Sequence, residues 1–342
     1  MLKAYLGRAG RAAHRAARPL LAAAAASLAC AGCGVVHTKT TPGPPRPLAI
    51  TLDGPPSALF APIYEALANG DFALGALHVT VSSAASDQTA LTELADGHTQ
   101  IAIVSEPSVI AARASGMPVV AVGALESGPL EAIISLHPIG SPAALAGRTV
   151  AVDGTSLETA ELESYLGSGG VAATQTRTID AGTGALTAHK AYAAIGRWNY
   201  DTVALGLAHR HPSVIRIEAA GVPTFTDLAI VVRVGEARYD GAVLRAFLQS
   251  LTRGEQATAS DPQAVARLLV RINPRLSMRF ELAALSATQS VAQPAAAGRP
   301  FGYQSPFAWQ SFGSWMQTHG LIANASLAGD TITDEFLPGQ GE

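Results

Sequence analysis

The sequence predicts an α/β protein of two lobes, and three observations carry that expectation. Short apolar runs alternate with amphipathic helical ones between residues 48 and 122. The same rhythm restarts at residue 149, and beyond residue 232 the chain becomes mostly helical. Strands alternating with helices require right-handed crossovers and a largely parallel sheet covered on both faces. For a chain of 342 residues, about 150 residues per domain sets a prior of two units.

The first 32 residues read as an export signal. Lys3, Arg8, Arg11, Arg15 and Arg18 precede the apolar run Pro19-Leu-Leu-Ala-Ala-Ala-Ala-Ala-Ser-Leu-Ala29, which is too short to span a bilayer as a helix. Cys30 and Cys33, the only two cysteines, stand at the end of this run. Ala31-Gly32-Cys33-Gly34 resembles a bacterial lipobox, with Cys30 where leucine is usual, and this makes Cys33 the expected lipidation site. The folded part then holds no thiol, so disulfides, thiolate metal sites and cysteine nucleophiles drop out. Residues 33–47 are rich in proline and read as an extended tether between anchor and domain.

From residue 48 the elements follow in order. Residues 48–52 form a strand, and 58–69 a helix with Leu59, Ile63 and Leu67 on one face and Gly70 as its stop. Residues 77–81 form a strand; Asp87 caps a helix that ends at Gly97; residues 101–104 form a strand; Pro107 opens a helix that ends at Gly116. Strands follow at 119–122 and near 132–136. In the second block a strand over 149–153 leads into Thr155-Ser-Leu-Glu158, a capping box. A helix is expected near 185–195, with strands at 176–179, 214–217 and 228–232. Helices near 239–254, 262–272, 279–291 and 306–320 make a tail expected to pack on the first lobe. Ligands of open parallel sheets bind beyond the carboxyl ends of the strands, which nominates residues 53–60, 83–87, 105–106, 153–155 and 198–201.

Charge narrows the function. Removing the first 32 residues, which carry five basic residues and no acid, takes the formal net charge from −3 to −8. A chain that acidic lacks the basic footprint of a nucleic-acid binder. No Gly-x-Ser-x-Gly elbow or Walker-A lysine is present. Gly182-Thr-Gly184 reads as a plain loop and His209-Arg-His211 as a solvated turn. Lys190 is the only lysine in the folded part and so the only Schiff-base candidate. Paired catalytic carboxylates stay open, since such pairs assemble from distant loops.

Leu52-Asp-Gly-Pro-Pro-Ser-Ala-Leu-Phe-Ala-Pro-Ile-Tyr64 resembles the opening block of the NMT1/THI5-like substrate-binding proteins of ABC importers. Ser105-Glu-Pro-Ser108, Pro118-Val-Val-Ala-Val-Gly-Ala-Leu125, Trp198-Asn-Tyr-Asp201 and Gly221-Val-Pro-Thr-Phe-Thr-Asp-Leu228 match later blocks in order. The resemblance covers most of residues 48–338 and implies a type II periplasmic-binding-protein fold, two α/β lobes with a ligand cleft between them. Lobe I is expected over 48–136 and 230–342, lobe II over 137–229. At its best-characterised branch the family binds a thiamine-precursor pyrimidine. On that reading Phe60, Tyr64, Trp198 and Tyr200 are candidates to stack on the ring. Asp201 is the candidate acceptor for its amine, and Glu106 is a second. Asp53, Ser57, Ser105, Asp153, Thr155 and Asn199 complete the candidate site. The family's tryptophan after the aspartate is Gly54 here, its asparagine is Ser57, and its glutamate is the shorter Asp201, so the pocket is reshaped.

The resemblance implies a monomeric, extracytoplasmic lipoprotein on the outer face of a bacterial membrane, serving a permease and its ATPase, with no cofactor or metal. Three alternatives stand beside it. One is a receptor for another heteroaromatic compound or a sulfonate. Another is an enzyme like the fungal pyrimidine synthases, which use pyridoxal phosphate and a cysteine-rich motif. The third is an interaction protein that keeps the fold without the ligand.

Overall fold

The computed structural model describes residues 44–292 and 298–340; the signal segment, Cys33 and most of the tether lie outside them. In chain order the first sheet receives β1 (Arg46–Leu52), β2 (Leu77–Ser83), β3 (Ile101–Val104) and β4 (Val119–Glu126). Between them run α1 (Ala61–Ala68), the short α2 (Asp71–Leu74), α3 (Asp87–Asp96) and α4 (Glu106–Ala114). The chain then crosses to a second sheet with β5 (Glu131–Ser135), β6 (Thr149–Val152), β7 (Arg177–Asp180), β8 (Ala193–Arg197) and β9 (Ser213–Arg216). Its helices are α5 (Ser156–Ser168), α6 (Gly184–Thr187) and α7 (Asp201–Leu207). A second crossover returns the chain to the first sheet as β10 (Leu228–Arg233). The tail follows as α8 (Val234–Tyr239), α9 (Gly241–Ser260), α10 (Pro262–Ile272), α11 (Met278–Ala292) and α12 (Pro306–Thr318).

The strand orders are β2-β1-β3-β10-β4 and β7-β6-β8-β5-β9, the same pattern twice. Each sheet holds one reversed strand, and in each it is the strand that has just crossed over: β10 runs antiparallel to β3 and β4, and β5 antiparallel to β8 and β9. The other strands follow the parallel rule that their crossover helices impose. The lobe boundary expected at 136/137 therefore moves. β5 pairs only within the second sheet, so the first crossover is the segment 127–130 and the second lobe begins before residue 131.

Two further expectations are corrected. The helix expected near 185–195 is the single turn α6 followed by β8; Ala193, Ala194 and Ile195 are buried and pair with β5 and β6. A short apolar run reads alike as a buried helix or a central strand, and here a neighbouring strand supplies its backbone partners. The tail, in turn, does not stay on the first lobe. Helices α9–α11 pack over one face of the first sheet. α12 instead shares a core with both sheets through Phe312, whose ring lies 4.5 Å from that of Phe225. The Trp315 indole N–H of the same helix donates to the Ser164 hydroxyl of α5 at 3.1 Å.

Candidate functional site

A cavity of about 750 Å³ opens between the lobes, and no residue of α12 lines it. The 53–60 segment after β1 forms one wall, the β8–α7 junction the second, and the α10–α11 connection the third. The apolar lining is aromatic. Phe60 is buried with its ring at the cavity, and Tyr200 meets Phe280 edge to face at 5.3 Å. Glu281 on α11 fixes the 57–60 turn, accepting the Ala58 N–H at 2.8 Å in a buried hydrogen bond. The Tyr200 hydroxyl faces Ser57 and the same turn, and burial pushes it up to about 12.

The floor is electrostatically lopsided. Arg197, the last residue of β8, reaches Asp227 of the second crossover at 3.8 Å and Glu131 at the start of β5 at 4.0 Å. Asp53 and Asp87 add negative charge from the first lobe. Burial, reinforced by Asp87 and Asp227 and opposed by Arg197, pushes Asp53 up to about 7. Burial and then Asp227 push Glu131 up to about 8 against Arg197. Glu126 and Glu161 are fully buried and pushed well above the usual carboxylate range, by burial first and then by neighbouring acids. Asp227, against the opposing effect of burial, raises the Arg197 guanidinium further still and holds it cationic. One oxygen each of Asp53, Glu131 and Asp227 is buried with no hydrogen-bond partner, as are both oxygens of Glu161. The cavity lining itself sets Asp53, Asp201 and Glu281 against Arg197 and Arg275 between aromatic walls, while Glu131, Asp227, Glu126 and Glu161 do not line it. It suits a flat ligand that brings donors, or positive charge, on its edge.

Asp201 lines this cavity, yet both its oxygens are engaged within its own lobe. The Thr183 hydroxyl donates to Oδ1, and the Arg197 backbone N–H donates to Oδ2 at 2.8 Å. A Cβ on Gly196 would stand 2.4 Å from Thr183 and 2.7 Å from Asp201, so glycine lets this turn close. Asp201 thus positions Arg197 at the end of β8. Asp53, Ser57, Phe60 and Tyr200 also line the cavity.

The remaining candidates are elsewhere. Tyr64, one helical turn beyond Phe60, is core, because that turn of α1 packs on α9 and α10. Trp198 packs on the hinge, its indole N–H donating to Pro129 O at 3.1 Å with the Arg216 guanidinium 4.4 Å above its ring. Asn199 is fully buried and ties the second lobe to α11 through Thr288 at 2.7 Å. Ser105 joins two helix starts, its hydroxyl donating to Asp87 at 2.5 Å. Glu106 lies against a separate cavity of about 140 Å³ with Gln304 and Trp309 and accepts the Thr226 N–H at 2.7 Å; burial pushes it up to about 8. Asp153 and Thr155 are exposed and cap α5. In the expected box Glu158 returns to the Asp153 N–H at 2.6 Å, not to that of Thr155.

The residues that reading left out are Arg197, Asp227, Glu131, Phe280 and Glu281. Arg197 directly precedes the Trp198 motif and Asp227 is the next-to-last residue of the 221–228 block, so both stood within reach. Phe280 and Glu281 come from a tail helix whose sequence carries no sign of the cleft. Among the described residues, no group of three or more His, Cys, Asp or Glu side chains is placed to hold a metal ion. No described helix is long and apolar enough to cross a membrane.

The family model described as NMT1/THI5 like matches residues 57–265. The chain belongs to this family. It is 26% identical over 299 residues to the formylaminopyrimidine-binding protein of Halalkalibacterium halodurans, covering 83% of this chain and 90% of that one. Among solved structures it resembles the alkanesulfonate-binding protein SsuA of Xanthomonas axonopodis pv. citri bound to MOPS. The TM-score is 0.63 at 15% identity, over 85% of this chain and 99% of that one. The periplasmic aliphatic sulphonate-binding protein SsuA of Escherichia coli matches with a TM-score of 0.62 at 16% identity, over 85% and 96%. The fold of this NMT1/THI5-like chain is accordingly that of the SsuA-type periplasmic binding proteins.

Proposed function

We propose that this protein is the extracytoplasmic receptor of an ABC importer and that its cleft closes on a thiamine-precursor aminopyrimidine. The observation that carries the proposal is a cavity lined by Phe60, Tyr200 and Phe280 in which Arg197 is surrounded by Asp53, Asp227 and Glu131. An aminopyrimidine has two apolar faces, and its edge sets an amine beside a ring nitrogen. A carboxyl group with a raised pKa serves that edge in either state: ionised it accepts from the amine, protonated it donates to the nitrogen. The likeness to the formylaminopyrimidine-binding protein supports the same ligand class. A sulfonate, the ligand class of the two SsuA proteins, would have to compete for Arg197 with Asp227 and Glu131, which already pair with it, and that costs affinity.

On this reading Asp53 and Arg197 hold the edge of the ring, Asp227 and Asp201 keep Arg197 in place, and no chemistry is done on the ligand. Cys33 anchors the protein by lipid, and the closed lobes present a monomer to the permease. Isothermal titration with formylaminopyrimidine, hydroxymethylpyrimidine and an alkanesulfonate tests the ligand. One site for a pyrimidine and no heat with the sulfonate is expected. Silence with both pyrimidines overturns the assignment, and sulfonate binding overturns its electrostatic basis. For the anchor, Cys33→Ser is expected to move the protein from the membrane to the soluble fraction.

A further inference from the structure

The second sheet has a far end, opposite the cleft, where β6, β7, β8 and β9 begin and β5 finishes. A depression of about 530 Å³ lies there, ringed by Arg148, Arg177, Lys190, Arg210, His137 and His189. None of its lining residues is acidic, in a chain whose net charge is −3 even with its basic leader. Among the described residues, none of these four Arg and Lys side chains stands in an ion pair with Asp or Glu.

Two of these cations are instead held by neutral partners. The Arg148 guanidinium lies 4.6 Å over the Tyr192 ring, on which His137 also stacks at 4.8 Å. Arg177 donates from Nε and Nη2 to the Thr149 hydroxyl at 3.0 and 2.5 Å, which orients it without neutralising it. His189 adopts φ 56°, a conformation glycine takes more cheaply, at the turn that leads into Lys190. Leu136 and Leu186 add apolar surface. Oriented guanidinium groups over a partly apolar concavity are the chemistry of phosphate recognition, because guanidinium matches phosphate in shape as well as charge.

We propose that this depression is a second binding site, separate from the cleft, for a phosphate-bearing anion. Its volume exceeds that of a lone phosphate and suits a diphosphate or the headgroup of an anionic phospholipid.

Two arms distinguish these sources. Full-length protein carrying Cys33→Ser is titrated with inorganic pyrophosphate and, separately, sedimented with vesicles of phosphatidylglycerol and phosphatidylcholine, against phosphatidylcholine alone. The same chain carrying Arg148→Glu and Arg177→Glu is the comparison, its folding checked by circular dichroism. If the double variant unfolds, Arg148→Gln with Arg177→Gln takes its place. Pyrophosphate binding that weakens by about tenfold or more in the variant, and with added salt, supports a soluble ligand. Retention on the anionic vesicles alone, lost in the variant, supports a headgroup. Absence of both, or binding that survives the substitutions, overturns the proposal.

Discussion

The two ends of the second sheet are built from the same five strands and carry opposite charge. At the cleft end stand Glu131, Asp153 and Asp180 with Arg197, and Arg216 there is already paired with Glu218 at 2.7 Å. At the far end stand Arg148, Arg177, Lys190 and Arg210 with no acid in the depression they ring. Strand polarity produces the sorting: in a largely parallel sheet, residues that precede strands collect at one end and residues that follow them at the other. At the cleft end Asp153 and Asp180 are exposed, but Glu131 is shielded between the lobes, so charge there is expensive and its pKa shifts; the far end is open, so charge there is cheap and free to meet a ligand.

Removing one guanidinium from each end is the most direct way to break this comparison. Arg197→Ala removes the cation that stands between Asp53, Glu131 and Asp227 and leaves these acids uncompensated. A loss of about 2 kcal/mol is expected, below the roughly 3–5 of a fully buried pair because the side chain is 33% exposed, and ligand binding disappears with it. Arg177→Ala at the exposed end is expected to change stability by less than about 0.5 kcal/mol. Urea unfolding of both variants checks the contrast, and equal costs would refute it.

A smaller effect separates positioning from contact. Asp201→Ala leaves the Arg197 amide and the Thr183 hydroxyl without their acceptor and should cost about 1–2 kcal/mol. Asp227→Asn removes the charge opposite Arg197, and titration calorimetry should register it mainly as lost affinity.

The pH profile sharpens the comparison further. Asp53 and Glu131 have folded-state values raised to about 7 and about 8, so the folded protein holds these protons more tightly than the unfolded chain does. Their stabilising effect is whole below the ordinary carboxylate range and is lost as pH rises through 7 to 8. Thermal melts of the ligand-free protein should therefore fall between pH 5 and pH 8, and Asp53→Asn should flatten the slope.

The least expected change is at Gly54. A Cβ there meets only Phe60 Cε2, at 3.8 Å, and φ is not positive, so the backbone does not require glycine. Gly54→Trp is expected to add a stacking face and tighten aminopyrimidine binding by about 0.5–1.5 kcal/mol, read by calorimetry.

Local order is legible in the sequence. Apolar periodicity marked most strands of the first lobe and the long helices of the tail, because their faces repeat with the period of the element that buries them. Thr155 and Glu158 marked the start of α5. Asp53, Ser57, Phe60, Tyr200 and Asp201 were reached because a strand end or a motif announced them, and all five line the cavity. Tertiary structure alone determined the rest. Backbone partners from β5 and β6 turned residues 193–197 into a strand, and pairing with β8 and β9 assigned β5 to the second sheet. Arg197 and Asp227 lie thirty residues apart and meet only when the second crossover returns. Sequence spacing encodes which face of one element is apolar; which charges share a buried floor depends on how separate elements are brought together, and no local pattern carries that.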